Sequence, residues 1–392
     1  MHINTKQAWR LVLVRELRRM VSRPVYAIIV IFLPLGFLLF FGTFMSEGLP
    51  NKLPIGVIDH DCSSLSRKMI RQIDATQQVK VVQYYHHFHD ANDAIQKGDI
   101  DGFLELPDHL QGRILNGTQP TIHFYYSQSD LITGSLVLKD LTTMLTTISA
   151  GANLQVREAK GQSEAASMGQ ILPIVPQFRN IGNPWANYSV YLISILLPGL
   201  LQLMVLLTTV YCIGIELKKN SSLKWYRVSG QSMFQALFGK LLPYTIGFTA
   251  IGCLYVVCLF RFLNYPLHNC VGWMLLANFL LVIVAQAFGI FMIGVFPVLR
   301  DGLSFAGLYG VLAFSYSGMS FPIDGMPALL QGLSYFFPLR WYFRIYQGIA
   351  LNGTAPFYSL PYYILMALYL LFPFVIIKRL RNAVVNMNYP KK

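Results

Sequence analysis

The sequence predicts an α-helical membrane protein of six transmembrane helices. A mixed α/β extracytoplasmic domain separates the first two, and broken outer re-entrant helices separate the fifth and sixth. Three observations lead there. Only 12% of the 392 residues are charged and 54% are hydrophobic, whereas soluble domains run at about 25% charged. Charge is also divided by region: residues 46–184 carry 14 acidic against 11 basic side chains, and the remainder 4 against 20. That basic excess sits in short segments beside uncharged runs, the positive-inside pattern, which argues against nucleic acid as a partner. Finally, Tyr316–Gly353 is nearly as apolar as a membrane helix, yet Pro322, Pro327 and Pro338 interrupt it, and proline breaks a helix interior.

Residues 1–23 are basic and amphipathic. Trp9, Val12, Leu13, Leu17 and Met20 recur at helical spacing, with Arg10, Arg15, Arg18, Arg19 and Arg23 on the other faces. This suits a helix lying on the cytoplasmic leaflet, or a charged flank that merely orients the first span. Residues 24–46 hold no charge over 23 positions, enough for a bilayer core that needs about 20. The run is too long for a signal-peptide core and is followed by no small-x-small cleavage site, so it reads as an uncleaved span.

Residues 47–184 are soluble in character. Stretches 53–59, 80–85, 100–106 and 121–127 read as strands. Cys62–Ala75 and Asp90–Gln96 read as helices, capped by Asp61 or Ser63 and by Asp90. A long helical stalk, about Ile132–Lys160, and a loop at 161–184 lead back to the membrane. His86, His87, His89 and Asp90 are the one cluster here with metal-ligand chemistry. Alternation would put His87 and His89 on one side of a strand end, although a solvated edge is the plainer reading. Tyr84, Tyr85, Phe88, Tyr125 and Tyr126 read as core and interface aromatics. Of the five cysteines only Cys62 and Cys270 fall outside the cytoplasm, so there is no disulfide framework.

The other five spans occupy 185–380. Tyr188–Ile215 is the second. Lys218, Lys219, Lys224, Arg227 and Lys240 mark the inner loop 216–240 that follows, and Leu241–Phe260 and Gly272–Phe296 are the third and fourth. Arg300 and Asp301 form an inner turn before Leu303–Ser320. The broken element, 321–351, contains short helices at Pro327–Phe337 and Pro338–Leu351. Phe357–Ile377 is the last span, and the basic tail 381–392 places both termini inside.

No Asp or Glu falls within these spans; outside the α/β domain the acids are Glu16, Glu216, Asp301 and Asp324. Ion-driven transporters keep ionisable groups in the membrane, and a membrane enzyme needs an acid, base or nucleophile. The absence weighs against both. Gly239-Lys240 is not a phosphate loop, because no glycine stands five residues earlier and Leu241 replaces Ser/Thr. Arg340 and Arg344, four apart, share a helix face. They suit lipid phosphates or an anionic cargo, or simple snorkelling to the headgroups. Ser221 or Ser222 caps a short helix over Leu223–Val228 that offers Trp225 and Tyr226 to a partner's groove, or rests on lipid as a connector. Small and hydroxyl residues in spans two and five, among them Gly199, Thr208, Gly307 and Gly310, permit close helix packing.

On the segments ELKKNSSLKWYRVSG…GKLLP, SGMSFPIDGMPALLQGLSYFFPLRWYFRIYQGIALNG and IQKGDIDGFLELPDHL, the chain resembles the permease subunits of type-2 ATP-binding-cassette exporters. The bacterial subgroup with a large extracytoplasmic domain between the first two spans is the nearest in pattern. The resemblance implies a homo- or heterodimer of permeases over two cytoplasmic ATPase subunits. ATP and Mg would bind those subunits, leaving this chain non-catalytic and without a cofactor. It also implies that residues about 5–22 contact the ATPases, together with a coupling set of Glu216, Lys218, Lys219, Ser222, Leu223, Trp225, Tyr226, Gly230, Gly239, Lys240 and Pro243. Pro322, Met326, Pro327, Pro338, Arg340, Arg344, Gly348 and Gly353 would form the outer exit. Lys218 departs from the family, where a second acid is common, and Ser229-Gly230 stands where Thr-Pro is usual. The expected function is outward movement of a hydrophobic or amphipathic cargo (drug, lipid or lipid-linked molecule) across a bacterial inner membrane. Membrane lipids, and envelope proteins at the outer domain, are further expected partners. A membrane-anchored scaffold or receptor, and an ion-coupled transporter, are the other readings.

Overall fold

The computed structural model describes residues 8–45, 48–116, 118–129, 131–159, 161, 182–183, 187–319, 321–386 and 389. The chain forms two compact units, Met1–Ser46 with Asn180–Lys392, and Glu47–Arg179. The loop read at 161–184 lies almost wholly outside the described residues, as do Lys391 and Lys392.

The inserted unit is built on a four-stranded sheet of β1 (Leu53–Asp59), β2 (Val79–Tyr84), β3 (Gly102–Leu106) and β4 (His123–Tyr126), in the order β2-β1-β3-β4. β1 runs parallel to β2 and β3, and β4 is antiparallel to β3. Four consecutive residues of β1 are buried, as expected of a strand covered on both faces. One face packs Ile55, Val57 and Leu104 against Met69, Ile70, Val137 and Leu141. The other packs Ile58 and Phe103 against Ala91 and Ala94. The covering helices are α3 (Ser64–Asp74), α4 (Phe88–Lys97), α5 (Leu110–Leu115) and α6 (Leu131–Ala159).

Ser63 caps α3, its hydroxyl accepting from the Ser66 amide at 3.1 Å. Ser63→Ala is expected to cost about 1 kcal/mol, read as faster hydrogen exchange in α3. Asp90 does not cap α4. That helix starts two residues earlier, after an extended His87 with no side-chain cap. Phe88 packs on Phe103 and Tyr125, at 5.4 and 5.0 Å between ring centroids, which draws the first turn into the fold. His87 and His89 therefore do not share a strand edge. They stand exposed around a helix start, and no group of three His, Cys, Asp or Glu among the described residues is placed to hold a metal. α5, a six-residue turn entered through His109 in the left-handed region, had no signal in the sequence.

The other unit begins with α1 (Ala8–Ser22) and α2 (Pro24–Phe44). After the insertion follow α7 (Tyr188–Lys218), α8 (Ser222–Val228), α9 (Met233–Phe262), α10 (Val271–Val295) and α11 (Leu299–Ser315). α12 (Ala328–Ser334), α13 (Pro338–Tyr346) and α14 (Pro356–Asn386) complete it. α2, α7, α9, α10 and α14 are each long and apolar enough to cross a membrane. α7 and α10 are central, with 67% and 72% of their most apolar windows buried, against 22–28% for the other three. Ile28, Leu39, Ile246 and Phe374 are among the large apolar side chains left exposed on those three. A surface of that kind is stable against lipid and not against water, so the chain is membrane-embedded.

The fifth predicted span is displaced. α11 begins four residues before Leu303 and ends at Ser315, 17 residues in all, short of the roughly 20 a spanning helix needs. Asp301 sits in its first turn, where a negative charge is favoured by the helix dipole. Beyond Ser315 the chain turns through Gly318 at φ +82° and a single 3-10 turn at Ile323–Gly325. It then enters α12 and α13, with Pro338 in the first turn of α13, where its missing amide is no loss.

Arg340 does not reach outward. Its guanidinium donates to the Ser334 hydroxyl and lies 4.3 and 4.7 Å from the rings of Tyr335 and Trp341, in a residue only 8% exposed. The Arg340 cation is thus drawn inward among aromatics, with its Nε unpartnered, while Arg344 is half-buried. Asn269 ties the end of this element down, donating to Ile349 O at 3.2 Å and Thr354 O at 2.9 Å. Gly348 and Gly353 lie in the same bend, where a Cβ would meet Thr354 or Ser359 and His268.

Candidate functional site

Ala8, Val12 and Glu16 are the buried residues of α1. They recur every four positions, one face of a helix, and that face carries an acid in an otherwise basic segment. α1 lies along α9, where Gly239 leaves room for the Trp9 carbonyl; a Cβ at 239 would collide with that oxygen and stand 3.0 Å from Val12. The approach sets Glu16 beside Lys240.

Lys240 Nζ donates to Glu16 Oε2 at 2.7 Å and to Glu216 Oε1 at 3.1 Å. Arg15 reaches Glu216 Oε2 at 2.9 Å, and Arg19 reaches Glu216 Oε1 at 2.5 Å and Glu16 Oε2 at 3.5 Å. The Tyr244 hydroxyl donates to Glu16 Oε1 at 2.9 Å, and the Ser221 hydroxyl donates to Glu216. Lys240 and Glu216 are 0% exposed and Glu16 1%. The Trp225 ring covers the ammonium, 5.3 Å from its centroid. Burial alone would lower the Arg19 pKa, but its bond to Glu216 and the nearby Glu16 charge hold it above its ordinary value. On the far side of α8, the Ser222 hydroxyl donates to Val384 O at 2.9 Å, and Arg381 lies over Tyr226 at 5.9 Å.

The node thus joins α1, α7, α8 and α9, and Ser222 links it to the end of α14. Burying ions is costly unless each is paired and hydrogen-bonded, and here both carboxylates are.

Several predicted residues stand elsewhere than expected. Trp225 and Tyr226 do not face a partner: they are 0% and 6% exposed and pack inward on Lys240 and Arg381. Ser221 does precede α8, but its hydroxyl turns back to Glu216 and caps nothing. Ser222, Gly239 and Pro243 are buried, Leu223 and Gly230 half-buried, while Lys218 and Lys219 are exposed. Glu216 and Lys240 are not loop residues. α7 runs three residues past Ile215, and α9 begins eight before Leu241, because charges that satisfy one another give the helices no reason to stop. The spans are therefore not free of acids, although the acid present is fully engaged. Lys224 and Arg227 make the exposed side of α8 basic, with Lys218 and Lys219 at the end of α7 beside them; all four fall within the coupling segment the resemblance implies, Glu216–Gly230.

The chain matches the model of a family described as ABC-2 family transporter protein over residues 25–377. It is 24% identical to the linearmycin resistance permease protein LnrN of Bacillus subtilis (strain 168), an alignment covering 86% of this chain and 90% of that protein. Membership of that family implies an ATPase partner, and its members are typically non-catalytic. A family match spanning well over half the chain, on a bundle of apolar helices, makes this protein a member of the ABC-2 transporter family and a membrane transport permease.

Proposed function

We propose that this chain is the membrane-spanning permease subunit of an ATP-driven exporter. A separate cytoplasmic ATPase would bind ATP and Mg, and the cargo would be a hydrophobic or amphipathic molecule leaving the cytoplasm or inner leaflet. The observation that carries the reading is the buried node tying α1 and α8 to the spanning helices α7 and α9. ATP-induced closure of two ATPase subunits would press the α8 helices of a permease dimer together. The node would turn that push into a tilt of α7 and of α11, which packs along it. ATP must bind the closed ATPase pair preferentially for this to work, since a ligand shifts only an equilibrium whose states it binds unequally. A drug as cargo is supported by the linearmycin resistance permease among its relatives. The basic loops support a cytoplasmic-membrane protein with both termini inside.

Docking would fall to the exposed basic side of α8. Lys224→Glu with Arg227→Glu alters exposed side chains and is expected to leave the permease folded. ATPase co-purification should fall at least tenfold. Undiminished co-purification would remove α8 from the contact, and cargo export by vesicles holding this chain alone would overturn the function. Export abolished by an uncoupler but indifferent to ATP would favour ion coupling.

A further inference from the structure

A groove of about 680 Å³ runs along the surface of the membrane unit, walled by α9, α10 and α14. It is separate from the charge node. Its rim is apolar and exposed, with Phe234 63% and Phe374 61% accessible. No charged residue lines it, but three hydrogen-bonding side chains do: Thr245, Thr249 and Gln286. Thr245 and Thr249 stand four apart on α9 and so share a face.

Gln286, only 6% exposed, has Oε1 2.8 Å from the Thr245 hydroxyl, whose single proton is shared with Leu241 O at 3.0 Å, while its Nε2 donates to nothing. The Thr249 hydroxyl also has no partner. An unmade buried hydrogen bond costs about 1–3 kcal/mol, and hydrocarbon cannot supply the missing acceptor. Two residues lining the groove thus each hold a buried donor without a partner. Its volume lies within the roughly 300–1,000 Å³ of drug-sized ligand sites.

We infer that this groove binds one uncharged, single-tailed amphiphile, whose apolar body lies along α9 and whose carbonyl or hydroxyl oxygen accepts from Gln286 and Thr249. A phospholipid headgroup is a poor fit, because the groove offers its phosphate no cation. A plain hydrocarbon is a poor fit as well, because it leaves both donors unmet. All three walls belong to this chain, so occupancy needs neither ATP nor a partner subunit.

Native mass spectrometry of the full chain held in amphipol, titrated with monoolein or with dioleoylphosphatidylglycerol, tests this. One monoolein per chain is expected to bind saturably, with the anionic lipid at least tenfold weaker. Gln286→Leu combined with Thr249→Val should weaken monoolein at least tenfold. Ala250→Phe, which fills the groove from an exposed position, should do the same and carries the test if the double variant does not fold. Equal retention of the two lipids, or unchanged monoolein binding in Ala250→Phe, overturns the assignment.

Discussion

Replacing Lys240 with methionine is expected to destabilise the membrane unit by about 3–5 kcal/mol, the range for removing one partner of a buried ion pair. Glu216 would keep Arg15 and Arg19, but Glu16 would be left with the Tyr244 hydroxyl and an Arg19 nitrogen 3.5 Å away. Most of the loss is therefore the burial of a carboxylate that has lost its nearest cation. Adding Glu16→Gln removes that charge, so the double variant should recover more than half of it. Reversible unfolding in mixed micelles measures both, and a loss below about 1 kcal/mol for Lys240→Met would show that the node does not hold its helices together. ATPase stimulation in the assembled transporter should fall with stability in the single variant.

Gly239→Ala should unseat α1 at a smaller cost. Alanine is normally the better helix residue by about 0.5–1 kcal/mol, so a Gly→Ala change with room around it stabilises. Gly307 in α11 has nothing within 4 Å of where its Cβ would be, and Gly307→Ala should raise stability by a few tenths of a kcal/mol up to about that amount. At Gly239 the obstacle is the Trp9 carbonyl, backbone that cannot swing aside, so α1 must lift. Overpacking of this kind costs about 1–3 kcal/mol. The two substitutions are predicted to have opposite signs, and protease access to α1 should rise only in Gly239→Ala. Matching effects at both positions would contradict the close seating of α1 on α9.

Five of the six expected spans were legible because lipid leaves no choice: a run without charge must be covered by hydrocarbon or protein. The sheet was legible for a similar reason, since stretches such as Leu53–Asp59 carry strand residues bounded by turn formers. Helix ends were less so. Asp90 has the chemistry of a cap, but packing of Phe88 decided the start. The node was hidden by distance: Lys240 and Glu16 are 224 positions apart, and no local pattern reports such a pairing. One trace was present, an acid at the fourth-residue spacing of Ala8 and Val12 amid arginines. Charge was treated as a sign of solvent, which assigned Glu216 and Lys240 to a loop. A short helix also has no spacing long enough to say which side is covered, so Trp225 and Tyr226 were turned outward.

The separation between Glu16 and Lys240 also imposes an order on biosynthesis. At roughly 5–20 residues per second of synthesis, the glutamate emerges about 10–45 s before the lysine that neutralises it. For that interval the nascent amino-terminal helix cannot seat, and it must wait at the headgroups, where its arginines are at home. A ribosome product ending short of residue 240 would keep that helix loose and open to membrane proteases. Closure of the ionic cluster would then report that synthesis has passed into α9, while α10, α11 and α14 are still to come.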